Sequence, residues 1–143
     1  ATIIDLWNRE IVGVNISRYH NRFLVIGAFL DAVSKFAPAA IIHSDQGSEY
    51  DSRDFQQLVG EYGCKISMSK KAHPWENGRQ ESFYGKFKTY MGQLNRFDNE
   101  GELIAEIYRA IYYFNHERIH GKLKMSPVKF RQKFEEKAME SLP

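Results

Sequence analysis

The sequence has a single cysteine, four prolines and almost no charge imbalance. One thiol cannot close an internal disulfide, so no covalent staple holds the fold, which fits a reducing cytoplasm. Cys64 reads as a buried structural thiol rather than a nucleophile. No run approaches the roughly 18 apolar residues that a membrane span needs. The opening residues do not read as a signal peptide, because no basic stretch precedes them and Asp5 interrupts the apolar run. Repeats and low-complexity segments are lacking too. Lys and Arg number 20 against 18 Asp and Glu, a formal charge of +2. That balance permits a nucleic-acid partner without arguing for one.

What is present is core-forming material. Of 143 residues, 43% are apolar and 14% aromatic, which excludes a disordered chain and fits one domain. A domain of this length buries roughly two-thirds of its unfolded surface. Charge is uneven locally: residues 65–88 carry Lys65, Lys70, Lys71, Arg79, Lys86 and Lys88 against only Glu76 and Glu81.

The patterning predicts alternating strands and helices. Residues 1–7 and 10–17 read as the arms of a hairpin around Asn8-Arg9. Residues 21–36 have helical spacing and stop before Pro38. Residues 39–43 form a short apolar run, the pattern of a buried parallel strand. A helix over 53–62, capped by Ser52 and ended by Gly63, leads to a strand over 64–68. After a polar loop the spacing predicts helices over 78–94, 99–115 and from Pro127 to about 138. This order implies an α/β domain with a mixed sheet flanked by helices.

Function in open α/β sheets collects at the carboxyl ends of strands. Asp45 lies just past such an end, where a rigid strand can hold a carboxylate for a divalent metal. Taken alone, Asp45-Gln46-Gly47-Ser48 reads more simply as a turn that spends Asp on its own backbone. Glu81 sits on a helix whose apolar stripe is Phe83, Phe87, Tyr90 and Leu94. Another face carries Glu81, Gly85, Lys88 and Gly92. Glycines cost helix stability, so Gly85 one turn from Glu81 suggests room for close approach by a phosphate or metal. A solvated glutamate on an amphipathic helix is the simpler reading of Glu81 alone. Two rigidly held carboxylates are what two-metal phosphodiester chemistry requires.

The flanking residues carry more. His43-Ser44-Asp45-Gln46-Gly47-Ser48-Glu49-Tyr50 resembles the second-aspartate motif of bacterial insertion-sequence transposases with a retroviral-integrase-like (DDE) catalytic core. Ser67-Met68-Ser69, Trp75-Glu76-Asn77-Gly78 and Glu81-Ser82-Phe83-Tyr84-Gly85 resemble their glutamate motif, with 35 residues between Asp45 and Glu81. Tyr113, Asn115, Arg118, His120, Leu123, Ser126, Pro127 and Phe130 are similar to the family's tail, and residues 4–13 to its second and third strands. Three ordered motifs make chance similarity improbable.

The resemblance implies a ribonuclease-H-like fold over residues 1–143, with a helical tail from about residue 97. It implies metal-dependent cleavage and strand transfer on DNA, with Asp45 and Glu81 as catalytic and metal-binding acids and Mg²⁺ or Mn²⁺ as cofactor. It also implies DNA (transposon ends and target) as partner, a homo-oligomer, a helix-turn-helix subunit or domain alongside, and action at the bacterial nucleoid. Lys70, Lys71, Arg79, Lys86 and Lys88 are candidate phosphate contacts, Lys88 foremost; a solvated basic face explains each about equally well. Trp75 and His73 precede the helix, Trp75 as a base-stacking platform or a loop anchor. His43 either orients Asp45 or packs at the strand end. His116 and His120 stand four apart, a spacing zinc can use, but without a third ligand they read as structural.

In the family the first catalytic aspartate lies on the sheet's central strand. By this alignment that strand falls before Ala1, and Asp5 matches a non-catalytic aspartate. The resemblance therefore implies that residues 1–143 by themselves lack strand-transfer activity, and that something covers the edges such a gap would leave. The rival reading is an integrase-like domain, truncated or degenerate, that acts only in DNA binding or assembly.

Overall fold

The computed structural model describes residues 1–69 and 78–141. The chain divides into two compact units: residues 1–3 with 12–86, and residues 4–11 with 87–143. Among the described residues no helix is long and apolar enough to cross a membrane.

The first unit is α/β. Strands β1 (Thr2–Ile4) and β2 (Ile11–Val14) form one two-stranded sheet, and β3 (Ile41–Ser44) and β4 (Lys65–Met68) another. The first pair is antiparallel, since Asn15 N–H donates to Ala1 O and Asp5 N–H to Glu10 O. The second is parallel, with Ile41 opposite Lys65 and Ser44 opposite Met68. The expected mixed sheet is thus two pairs rather than one ladder. Among the described residues β1 and β3 each have a single strand neighbour, so the expected cover of their edges is not seen there.

Helix α1 (Arg22–Lys35) starts where the Asn21 side chain accepts from Phe23 N–H, and it buries Val25, Ala28, Phe29 and Ala32 at helical spacing. Helix α2 (Arg53–Glu61) starts at Ser52, whose hydroxyl accepts from Phe55 N–H, and buries Phe55 and Val59. Gly63, in the left-handed region at φ +75°, ends that last turn. Val25, Phe29, Phe55, Val59 and Cys64 form the core, and Ile3, Ile42 and Ile66 pack on it from β1, β3 and β4. Each fully buried phenylalanine contributes roughly 1.5–3 kcal/mol. Cys64 is buried as expected, and burial pushes its thiol pKa up.

Two strand expectations need correction. The hairpin arms are shorter than predicted, because Asp5 accepts from Trp7 N–H and Arg9 takes the left-handed conformation (φ 66°), which opens the turn early. Strand β3 is not buried on both faces: Ile42 packs on the core while Ile41 remains 59% exposed. Its apolar run covers one face only, and the other lacks a covering layer among the described residues.

Helix α3 (Gly78–Met91) begins in the first unit and ends in the second. It stops three residues short of the prediction, at Gly92 in the left-handed region (φ 63°), so Leu94 lies in a following 3₁₀ turn and is 57% exposed. Within the second unit Phe87 packs on Phe114 and Tyr90 stacks on Tyr113. Helix α4 (Glu100–Tyr112), capped by Asn99, widens into a π-helical turn over Tyr113–Glu117. Helix α5 (Pro127–Glu140) starts with proline, as expected. Trp7 packs edge-on against Phe130 and Phe134 of α5. Asn8 and Glu10, both buried, meet Arg131: Asn8 Nδ2 donates to Glu10 Oε2 at 2.8 Å, and Arg131 Nε donates to the same oxygen at 2.9 Å.

Candidate catalytic site

Asp45 follows β3, in the first unit. Its backbone position is fixed from behind. Ser44 O accepts from Ser69 N–H at 2.8 Å and from the Ser69 hydroxyl at 3.3 Å, which ties the ends of β3 and β4 together. His43 adds a second tie: its Nδ1 lies 3.0 Å from Ser67 Oγ and its Nε2 3.1 Å from Ser69 Oγ. The imidazole therefore serves the strand ends that carry Asp45, and no hydrogen bond joins it to Asp45 itself.

The loop is compact. Asp45 Oδ1 accepts from Gly47 N–H at 3.0 Å, and Gly47 O accepts from Tyr50 and Asp51 N–H. The turn reading of Asp45 holds, and the turn uses only one carboxylate oxygen. A Cβ at Gly47 would stand 3.0 Å from Asp45 Oδ1 and 2.9 Å from the Glu49 carboxylate, so glycine keeps room for both acids. Glu49 pairs with His20 at 3.2 Å.

Glu81 is exposed, in the first turn of α3. The turns around it are pinned to β1: Gln80 Nε2 donates to Thr2 O at 3.2 Å and to Thr2 Oγ1 at 3.0 Å, and the Tyr84 hydroxyl lies 3.0 Å from Thr2 Oγ1. Glu81 itself makes no hydrogen bond or ion pair among the described residues, so its oxygens are unspent. A Cβ at Gly85 would meet nothing within 4 Å, which leaves the face beyond Glu81 open.

Tyr50 links the two motifs. Its pKa is pushed up to about 12, first by burial, then by the neighbouring Tyr84 phenol and the Asp45 and Glu49 carboxylates. The groups around it lie on the aspartate loop and, through Tyr84, on α3. Its ring is held edge-on to Phe55 at 5.6 Å. Sequence reasoning assigned no role to Tyr50, Thr2, Gln80 or Tyr84. The spacing of Gln80 and Tyr84, four apart and bracketing Glu81, was the available signal.

The other candidates are spread out. Arg79, Lys86 and Lys88 lie on α3, while Lys70, Lys71, His73 and Trp75 lie outside the described residues. Asp5 belongs to the second unit and its carboxylate accepts from Trp7 N–H. His116 stacks on Tyr112 at 4.3 Å, and His120 bridges to Met125 beyond the helix end, so the two share no helical face. Among the described residues no group of three or more His, Cys, Asp or Glu could hold a metal.

The sequence matches the integrase core domain family over residues 1–74 and, through a second description of the same core, over residues 62–127. The chain belongs to the integrase core domain family. As a member, it is 39% identical over 92% of its length to an uncharacterised transposase-like protein of Haemophilus influenzae. It is 35% identical over 94% of its length to the transposase of insertion sequence element IS904 of Lactococcus lactis. It is 34% identical over 92% of its length to the putative transposase InsK of IS150 of Escherichia coli. The chain spans 62%, 54% and 47% of those three relatives. Its fold is that of retroviral integrase cores, ribonuclease-H-like. The HTLV-2 integrase catalytic core in complex with magnesium superposes with a TM-score of 0.70 at 20% identity, covering 89% of this chain and 80% of that one.

Proposed function

We propose that this integrase core acts in DNA transposition, by metal-dependent phosphodiester cleavage and strand transfer, with Asp45 and Glu81 as two of the metal-binding acids. The observation that carries the reading is that two carboxylates stand on tied elements with oxygens to spare: Asp45 at the joined ends of β3 and β4, and Glu81 on a helix pinned to Thr2. The donor set fits Mg²⁺ or Mn²⁺. Such ions take carboxylates from rigid elements and complete their shell with water and substrate phosphate. A bound ion would activate the attacking oxygen and stabilise the leaving one.

The chain's own residues supply position. Ser44, Ser69 and His43 hold Asp45 at the strand end, and Gln80 and Tyr84 hold the turns that bear Glu81. Arg79, Lys86 and Lys88, with Lys70 and Lys71, would neutralise backbone phosphates and set the DNA's register without reading its sequence. In this reading residues 1–143 are the catalytic core with a helical tail from about residue 97. A further acid comes from outside these residues, and so does a helix-turn-helix module for transposon ends; the working form is a homo-oligomer on donor and target DNA at the bacterial nucleoid. Residues 1–143 by themselves would then be inactive.

The test is strand transfer by the full-length protein with labelled donor ends and Mn²⁺. Asp45→Asn and Glu81→Gln should each abolish product while leaving DNA binding and the melting temperature intact. Undiminished product from either variant would overturn the assignment. The second reading, a domain that only binds DNA or assembles, is favoured by the absence of a three-ligand cluster among the described residues. It predicts no product from the unsubstituted full-length protein.

A further inference from the structure

A second cationic surface lies in the other unit. Residues 118–133 contain six Lys or Arg and no Asp or Glu. Two of the six are engaged: Arg118 lies over the Phe114 ring and Arg131 is tied to Glu10 and Glu135. The remaining Lys122, Lys124, Lys129 and Lys133 are exposed, and their ammonium groups make no hydrogen bond or ion pair among the described residues.

Their setting is built, not frayed. His120 N–H donates to Met125 O at 3.0 Å, and Leu123 and Lys124 N–H both return to His120 O, which closes a tight loop. Leu123 is half-buried, while Lys122 and Lys124 on either side of it are exposed. Ser126 then begins α5.

Three features work against stability. Lys124 occupies the left-handed region at φ 59°, where a non-glycine residue is disfavoured by about 1–2 kcal/mol. Lys129 stands in the first turn of α5, which holds no acid, so a cation faces the positive end of the helix dipole. The Ser126 hydroxyl, on a residue 2% exposed, makes no cap hydrogen bond and has no partner among the described residues. Local preference would place Gly or Asn at 124, Asp or Glu at 129, and a bonded cap at 126. The loop and helix start instead concentrate positive charge where no acid among the described residues answers it.

We infer that the loop around Lys122 and Lys124, with the first turn of α5, is a second binding surface for the phosphate backbone of duplex DNA. The inference rests on the reading that the chain works on DNA, and it adds a contact that the glutamate-helix lysines do not provide. Lysines acting as point charges suit sequence-independent phosphate contact.

The experiment uses full-length protein and a short labelled duplex of arbitrary sequence, with anisotropy titrations from about 50 to about 200 mM salt. K122E/K124E should weaken binding at least about tenfold and reduce the log–log salt slope by about 2, since each lost phosphate contact removes about 0.9. K122Q/K124Q should lower the slope in the same direction with an unchanged melting temperature, and it decides the matter if the glutamate variant misfolds. Unchanged affinity and slope in these variants, while K86E/K88E lowers both, would overturn this inference and leave the DNA reading standing. An unchanged slope with altered self-association by light scattering would mark the loop as a protein contact, and would overturn it too. No duplex binding by the unsubstituted protein would overturn both.

Discussion

Asn115 pairs with Ile11 as a neighbouring strand would. Its Oδ1 accepts from Ile11 N–H at 2.8 Å and its Nδ2 donates to Ile11 O at 2.9 Å, across 104 residues of chain. The π-helical turn over Tyr113–Glu117 is what presents the carboxamide. Such a turn sacrifices regular helical bonding and tends to persist where a side chain needs a particular aim. Here the aim is to satisfy one residue's buried backbone, so the tail residues that resembled the family have a structural task within the second unit.

Asn115→Ala should therefore destabilise the protein by about 2–3 kcal/mol, because both Ile11 backbone groups lose their partners while remaining buried. For a chain of this length that is a melting temperature lower by about 5–10 °C. Calorimetry on the variant checks it. A loss under about 0.5 kcal/mol would mean that water replaces the carboxamide freely.

The buried Glu10 carboxylate, 4% exposed, depends on Arg131 and Asn8. Arg131→Ala leaves that charge inside with one neutral donor, at a cost of about 3 kcal/mol. Arg131→Lys should recover little, because guanidinium meets both Glu10 oxygens, at 2.9 and 3.4 Å, and also reaches Glu135. Glu10→Gln combined with Arg131→Ala should be milder than Arg131→Ala alone. Denaturant titration of the three variants reads the order directly.

How much of this was legible beforehand varies by level. Helix positions followed from spacing and local chemistry: Ser52 and Pro127 sit where expected, and the helices expected from residues 21 and 99 start one residue later, with Asn21 and Asn99 as their caps. Strand length did not follow, because the Asp5 turn and the left-handed Arg9 end the hairpin ladder early, and no periodicity encodes that. The exposure of β3 was hidden as well. An apolar run implies two covered faces only if neighbours exist on both, and neighbours are a tertiary matter. At the candidate site, Asp45 and Glu81 were singled out through flanking motifs. The Thr2 anchor of α3 depends on a hydrogen bond to Tyr84, 82 residues away along the chain, and the surroundings of Tyr50 include Tyr84, 34 residues away.

Tyr50 gives a pH prediction. Its folded pKa of about 12 stands above the ordinary phenol value of 10.0. A raised pKa means that the neutral phenol is favoured by the fold. The associated stability is complete below pH 10.0 and is lost as pH rises toward about 12. Partial exposure reduces the effect to about 2 kcal/mol or less. Tyr50→Phe should remove this share of the alkaline slope, so the difference in unfolding free energy between variant and parent should change with pH only in that window. A difference that stays flat across it would show that neither burial nor the surrounding groups shift the Tyr50 phenol.

Gly13 sets the distance between β2 and α1. A Cβ there would stand 2.2 Å from Ala28 O and 2.8 Å from Ala32 Cβ, neither of which can move without shifting the helix. Gly13→Ala should cost at least about 2 kcal/mol through overpacking, measurable as a lowered urea midpoint. Gly47→Ala makes the opposite case. The added methyl would crowd the Asp45 and Glu49 carboxylates at 3.0 and 2.9 Å, but these are side-chain ends and can yield. Gly47 also lacks a left-handed φ, so alanine fits the backbone and stability should change by less than about 1 kcal/mol. What should change is the direction of the Asp45 carboxylate. Displacing a reacting group by a few tenths of an ångström disturbs chemistry far more than folding, so strand transfer by full-length Gly47→Ala should fall about tenfold or more. Mn²⁺ affinity, read by calorimetry, should fall with it. Wild-type transfer and wild-type affinity together would mean that the reaction is indifferent to where Asp45 points, and Asp45 would lose its place in the site.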